Sequence, residues 1–261
     1  MDYRQQIVDM MCAGDYTLGE IADMSGYATC YISRIFRKYM GITFREYRSL
    51  IRLYSTAWDI LDTDDRIIDV ALEHGYETHK AFTEVFRRRF GKTPSACRNG
   101  DLPEVHPEEK LSDNNIVELK NISAQDYECV REYWPNNVPD SEIFRMICES
   151  DNKCHEGRYY KVFGIWTTGC MVGMIIMYHY DDGAISIGPE IFNKYRRKGY
   201  GTQALRASFD KAKDEGYKLA VASINIRNIP SMKLHEKCGF VLAGKRINRH
   251  GNKHLVFVKP L

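Results

Sequence analysis

Apolar residues recur three and four apart along the first 98 residues, with polar or glycine breaks between the runs, so this region is predicted to be helical throughout. Ile7, Met10 and Met11 mark a first short helix. Thr17 is placed to N-cap a second, with Glu20 three residues later completing a capping box ahead of Ile21 and Ala22. Gly26 breaks the chain, and 28–38 make a third helix with Ile32, Ile35 and Phe36 inward. A long amphipathic helix over 43–61 follows, its apolar stripe formed by Phe44, Tyr47, Ile51, Tyr54, Trp58 and Leu61. The run Asp62-Thr63-Asp64-Asp65 ends it. A helix over 67–73, a turn at Gly75 and a helix over 77–89 come next, with Phe82, Val85 and Phe86 inward, and Gly91-Lys92-Thr93-Pro94 closes the unit. Helix, glycine-containing turn and helix, twice over, is the spacing of a double helix-turn-helix.

The pattern then changes. Residues 99–113 carry prolines, carboxylates and few large apolar side chains, and read as an exposed linker. Beyond it strands alternate with helices: a strand over 115–120, helical segments near 124–133 and 140–149, and antiparallel strands over 159–166 and 170–180 joined at Thr168-Gly169. A strand over 184–188 pairs next across Asp181-Asp182-Gly183, and an apolar strand over 219–224, a helix from Asn228 and two last strands complete an α/β domain over 114–261.

Net charge is +2, so the bulk balance selects no partner. Residues 1–98 hold 14 Lys/Arg against 14 Asp/Glu, but the cations are segregated. Arg34, Arg37, Lys38, Arg45, Arg48 and Arg52 form one cluster, and Arg87, Arg88, Arg89 and Lys92 another. Such clusters suit phosphate contacts, or a solvated face. The eight cysteines include no Cys-x-x-Cys pair, which points to free thiols in a reducing cytoplasm and to no metal site. The N-terminus lacks an apolar signal core, and the apolar run 170–178 is far short of the ~20 residues a membrane span needs, so no membrane partner is expected.

One stretch carries chemistry of its own. Residues 194–205 run Arg196, Arg197 and Lys198 into Gly199-Tyr200-Gly201, and a helical sequence begins at once, with Leu205, Phe209 and Ala212 at helical spacing. Glycine lets a backbone approach its ligand, the first N–H groups of a helix have no intrahelical partner, and the helix dipole adds positive potential. Strand, loop and helix therefore form a pyrophosphate cradle. Taken alone, Gly-x-Gly is equally a tight strand-to-helix turn.

The context is more specific. Arg196-x-x-Gly199-x-Gly201 has the spacing of the acetyl-CoA loop of the GNAT superfamily of N-acetyltransferases, and Asn228-Ile-Pro-Ser231-Met-Lys-Leu234-His235-Glu236-Lys237-Cys238-Gly239-Phe240 resembles that superfamily's second signature. The resemblance implies a mixed sheet over 114–261 and acetyl-CoA as acetyl donor, held by Gly188, Arg196, Arg197, Lys198, Gly199, Tyr200, Gly201, Thr202 and Asn228. The acceptor it implies is a small amine. Such an amine must first lose a proton, since a Lys-like amine has a pKa of ~10.4, and the departing thiolate wants an acid. His235 stands where many members carry that acid as tyrosine, and an imidazole of pKa ~6.5 can donate or accept near neutral pH. The other reading of His235 is a helix histidine bonded to a neighbouring carbonyl. Glu190, between Gly183 and the loop, is a candidate base, or else a solvated turn residue.

The helical half is also specific. Ile67-x-x-Val70-Ala71-x-x-x-Gly75-Tyr76 and Phe82-x-x-x-Phe86-Arg87-Arg88-x-Phe90-Gly91-x-Thr93-Pro94 resemble the AraC/XylS family of bacterial transcription regulators, over nearly all of 5–98. The resemblance implies an all-α domain that binds double-stranded operator DNA, with two recognition helices in successive major-groove segments about one ~34 Å turn apart. Cys30, Ser33 and Arg34 fall at base-facing positions of the first, and His79, Lys80 and Thr83 at those of the second. Arg34 suits a bidentate contact to guanine, while Arg37 and Arg87 suit phosphates. Glu84 departs from the family, which usually carries arginine there: it can accept from cytosine, cap a neighbouring arginine or weaken the contact.

Two functions follow. In the first the chain both reads DNA and N-acetylates a small amine. In the second the GNAT fold senses a ligand or joins two copies into a homodimer, without turnover. A helical bundle with no DNA role is the bland alternative for the first half.

Overall fold

The computed structural model describes residues 3–101, 117–133, 138–151, 154–155 and 157–261. Most of the expected linker, and the start of the strand expected from 115, lie outside these residues. The chain divides into two compact units, Met1–Glu104 with Ile224–Lys233 and Leu242–Leu255, and Val105–Ser223 with Leu234–Val241 and Val256–Leu261.

The first unit opens with α1 (Tyr3–Ala13), α2 (Leu18–Ser25), α3 (Thr29–Met40), α4 (Phe44–Asp62), α5 (Ile67–Glu73), α6 (His79–Phe90) and α7 (Pro94–Arg98). Local chemistry explains the starts and stops. Thr17 Oγ1 accepts from the Glu20 N–H at 3.2 Å, and the Glu20 carboxylate accepts from the Thr17 N–H at 2.7 Å, which is the expected capping box. The turns of the two helix-turn-helix motifs pass through Gly26 at φ +70 and Gly75 at φ +77, a region open to glycine at no steric cost.

Three expectations change. Leu61 is half-buried and the fully buried neighbour is Ile60, because α4 buries a broad arc that also includes Leu53, Thr56 and Ala57. Val85 is 39 % exposed, since the inward row of α6 runs Phe82, Phe86, Phe90 at strict i, i+4 spacing. Helix α7 was not expected; Thr93 caps it by accepting from the Ala96 N–H, with Pro94 in its first turn.

The remaining elements are β1 (Glu118–Asn121), α8 (Tyr127–Tyr133), α9 (Asp140–Asp151), β2 (Cys154–His155), β3 (Arg158–Thr167), β4 (Cys170–Asp181), β5 (Ala184–Ile191), α10 (Tyr200–Asp214), β6 (Leu219–Asn225), α11 (Ile229–Lys237), β7 (Val241–Ile247) and β8 (Lys253–Pro260). The sheet order is β1-β3-β4-β5-β6-β8-β7, with β2 paired to β3 off this path. Strands β1, β3, β4 and β5 pair antiparallel, and β5 pairs parallel with β6, so the sheet is mixed. Val162–Ile165 in β3 and Met171–Ile175 in β4 are buried without alternation, the mark of a sheet covered on both faces. Helix α9 packs on β3 and α10 on β5, and the core of this unit gathers Ile122, Val130, Ile143, Ile147, Met174 and Phe192.

Gly173 is a packing requirement of β4: a Cβ there would overlap the Glu190 carbonyl oxygen and lie 3.0 Å from Ile191 Cα. A Cβ on Gly188 would meet nothing within 4 Å. Gly173→Ala is therefore expected to destabilise the chain by about 1–3 kcal/mol, and Gly188→Ala to leave stability unchanged, read by denaturant unfolding of the full chain.

Candidate functional sites

The exposed face of α3 presents Cys30, Arg34 and Arg37, with Ser33 half-buried at its edge, and that of α6 presents His79, Lys80, Glu84 and Arg87. Thr83 is half-buried, and its Oγ1 is buried without a hydrogen-bond partner among the described residues. The inward residues of the same helices, Ile32, Ile35, Phe36, Phe82 and Phe86, hold these faces outward.

The basic clusters separate by role. Arg48 pairs with Asp15 at 2.9 Å, Arg52 donates to the Gly75 carbonyl at 3.3 Å with its guanidinium over the Tyr76 ring, and Arg89 donates to the Tyr54 hydroxyl at 2.8 Å. Lys92 is 7 % exposed and donates to the carbonyls of Asp101 and Leu242 at 2.6 and 2.8 Å. The sequence left these four cations to phosphate contacts or a solvated face; in the folded chain each bonds within the unit. Sequence spacing could not show this, because each partner is distant along the chain.

In the second unit the register between β5 and β6 covers Ala184–Ser186 against Leu219–Val221. Strand β5 continues to Ile191, with Ile187, Gly188, Pro189, Glu190 and Ile191 paired to β4 on the other side. Gly188 is exposed in the middle of this stretch. The strand leads through a short 3₁₀ turn, Asn193–Tyr195, into the loop, where Arg197 adopts φ +68 and Gly199 φ +83. A left-handed arginine is a costly conformation, which the flanking structure must impose. Gly199 then begins α10, accepting from the N–H groups of Thr202 and Gln203 at 3.1 and 3.2 Å, while the first helical N–H groups have no intrahelical acceptor.

Arg197 and Lys198 are exposed, with Lys198 Nζ 5.8 Å from the Tyr195 ring centroid, and Tyr200 is half-buried. Arg196, also exposed, folds back to donate from Nε to the Ile191 carbonyl at 3.0 Å, closing the base of the loop. Thr202 is buried, and its carbonyl lies 3.9 Å from Cys238 Sγ. Glu190 is half-buried opposite Met174. His235 is 3 % exposed in the last turn of α11, its ring edge-on to Phe240 at 5.0 Å. Asn228, in the first unit, begins α11: its Oδ1 accepts from the Ser231 N–H at 3.2 Å.

Gly201 has a role besides loop chemistry. A Cβ there would lie 2.7 Å from Leu234 Cδ1 and 3.4 Å from Ile191 Cγ1, so the glycine lets α10 seat closely on the last turns of α11. Tyr195 was missed from sequence. Its hydroxyl lies 3.0 Å from Cys170 Sγ, a hydrogen bond that raises the tyrosine pKa, and Lys194 beside it pairs with Glu132 at 2.8 Å. Its partners are remote in sequence, so no local pattern announces it.

Among the described residues no helix is long and apolar enough to cross a membrane, and no three His, Cys, Asp or Glu side chains gather as a metal cluster. The class is set by two matches: a family model described as a helix-turn-helix domain fits residues 21–100, and one described as an acetyltransferase (GNAT) domain fits 110–241. The chain belongs to both families: it is an AraC-type helix-turn-helix transcription regulator fused to a GNAT acetyltransferase domain. Among relatives, the "Probable transcription factor PqrA" of Proteus vulgaris is 37 % identical over 87 residues, covering 33 % of this chain and 71 % of that protein. The regulatory protein SoxS of Escherichia coli (strain K12) is 37 % identical over 79 residues, covering 30 % of this chain and 74 % of that protein. Among solved structures, the ribosomal L7/L12 alpha-N-protein acetyltransferase RimL in complex with coenzyme A covers 59 % of this chain and 98 % of its own, with a TM-score of 0.50 and 15 % identity, a likeness of fold.

Gly201→Val is expected to lower stability by about 1–3 kcal/mol through the α10–α11 contact alone. Thermal melting without any ligand checks this, and an unchanged midpoint would show that Leu234 moves aside freely.

Proposed function

We propose that this protein is a bifunctional regulator: its first half reads specific operator DNA through α3 and α6, and its second unit binds acetyl-CoA and N-acetylates a small amine. The observation that carries the acetyl-CoA reading is the early end of the β5–β6 register at Ser186. Beyond it β5 keeps a backbone edge with no registered partner on β6, continuous with a left-handed glycine loop and a helix N-terminus. Backbone donors along such an edge suit an amide-bearing thioester arm and an oxyanion, and the helix start suits a pyrophosphate.

In this reading acetyl-CoA supplies an activated acyl group. Gly199, Tyr200, Gly201 and Thr202 offer backbone to the pyrophosphate, while Arg197 and Lys198 neutralise it. Arg196 shapes the loop through Ile191, and Gly188 keeps the strand edge clear of side chains. Asn228 orients α11 as its cap. Glu190 accepts the amine proton, and His235 returns one to the departing thiolate.

Gly199→Val should abolish acetyl-CoA binding by calorimetry while the fold persists, because a branched side chain resists both the left-handed turn and close backbone approach. Unchanged affinity in a folded variant would remove the acetyl-CoA reading. His235→Gln should lower kcat for thiol release from acetyl-CoA with a panel of amines by about 10²-fold, leaving the KM for acetyl-CoA unchanged. One observation favours a second reading, in which the unit senses ligand without turnover: His235 is buried against Phe240. Full activity in His235→Gln assigns the histidine to packing; acetyl-CoA binding without thiol release from any amine supports sensing alone.

For DNA, Arg34→Ala should cost about 1–3 kcal/mol and relax specificity at one base pair. Arg37→Ala should weaken all sequences alike and flatten the salt dependence. The probes are duplexes selected from a random pool by the wild-type chain. Uniform loss in both variants would make Arg34 a phosphate contact.

A further inference from the structure

The first compact unit contains more than its seven N-terminal helices, because 224–233 and 242–255 pack into it. Their contacts with those helices are specific. Trp58 of α4, 4 % exposed, has two ammonium groups on its ring: Lys245 Nζ at 4.5 Å and Lys253 Nζ at 4.2 Å from the centroid. Each lysine also pairs with a carboxylate of α4, Lys245 with Asp62 and Lys253 with Asp59 at 3.0 Å. Buried Lys92 donates to the Leu242 carbonyl.

The earlier segment holds the other end. Arg227 donates to the carbonyls of Cys12 and Gly14, at 3.4 and 3.3 Å, where α1 runs out, and pairs with Asp15 at 3.3 Å. Lys233 pairs with Glu46 in the first turn of α4 at 2.9 Å.

One residue passes this grip onward. The Asp59 oxygen not engaged by Lys253 lies 2.7 Å from His74 Nε2. His74 ends α5 and immediately precedes the Gly75 turn of the second helix-turn-helix. A single carboxylate thus joins β8 to the turn that aims α6.

Exposed ion pairs taken singly contribute little. An indole faced by two cations, and a buried lysine whose acceptors include a carbonyl of the C-terminal segment, are different, since removing the partners exposes Trp58 and strands the Lys92 charge. We propose that residues 224–233 and 242–255 are an intrachain clamp on α4 that also fixes the second helix-turn-helix, through Lys253, Asp59 and His74. The C-terminal segment is then part of the DNA reader's own architecture, whatever the acetyl-CoA site does.

The test uses the full chain without DNA or cofactor. In Lys245→Ala/Lys253→Ala, amide hydrogen exchange over 59–74 should quicken about tenfold, with β3 and β4 amides unchanged as the internal reference. Lys245→Asp should have a similar effect, and adding Asp62→Lys should restore protection by re-forming the pair in reverse. Affinity of the double alanine variant for a duplex selected by the wild-type chain should fall about fivefold. Unchanged exchange over 59–74, or failure of the charge swap to restore it, would overturn the clamp. Faster exchange with unchanged duplex affinity would overturn its control of the reader. The exchange arm stands apart from the proposed function, because it needs neither operator nor acetyl-CoA.

Discussion

Helix α4 buries a broad arc rather than a single stripe, and the first unit depends on that constraint. Phe44, Tyr47, Ile51, Leu53, Tyr54, Thr56, Ala57, Trp58 and Ile60 are all buried along its 19 residues. An amphipathic helix lying on one neighbour would bury a single stripe. Here Phe36 of α3 packs edge-on to Phe44 and Tyr47 near the start, and Phe90 of α6 packs on Tyr54 further along. A 19-residue helix spans about 28 Å, so α4 carries packing partners from both helix-turn-helix motifs along its length. Arg52 and Arg89 reinforce this, tying α4 to the Gly75 turn and to α6. Cations that look like phosphate ligands in the sequence thus also bond within the unit.

The second unit rests on a different constraint, a parallel strand pair that ends after three residues of register. A sheet that parts inside its own plane leaves backbone donors and acceptors without ladder partners, which is costly unless something else takes them. In the acetyl-CoA reading proposed above, the left-handed Arg197 and Gly199 that follow and the start of α10 serve that same edge. Structural economy accompanies this: Gly201 serves the packing of Leu234, and Gly173 clears room for the Glu190 carbonyl, so neither glycine reports on ligand binding alone. His235 is ambiguous for a related reason. A buried imidazole beside Phe240 is well placed to hold α11, and the proton donor of the proposed reaction must do that as well.

What the sequence determined by itself was whatever depends on neighbours a few residues away. The Thr17–Glu20 capping box, the glycine turns at 26 and 75, the helix start at Thr43, and the strand, glycine loop and helix from Ala184 to Ala212 are set by local hydrogen bonding and backbone sterics, and the residue pattern states them directly. The burial of Lys92, the pairing of Arg48 and Arg52, the Tyr195–Cys170 contact and the Lys253–Asp59–His74 junction were decided only by the tertiary structure. Each depends on which distant segment comes to lie beside the residue. A lysine on a solvated face and one donating to two buried carbonyls have the same sequence pattern, and only the folded chain tells them apart.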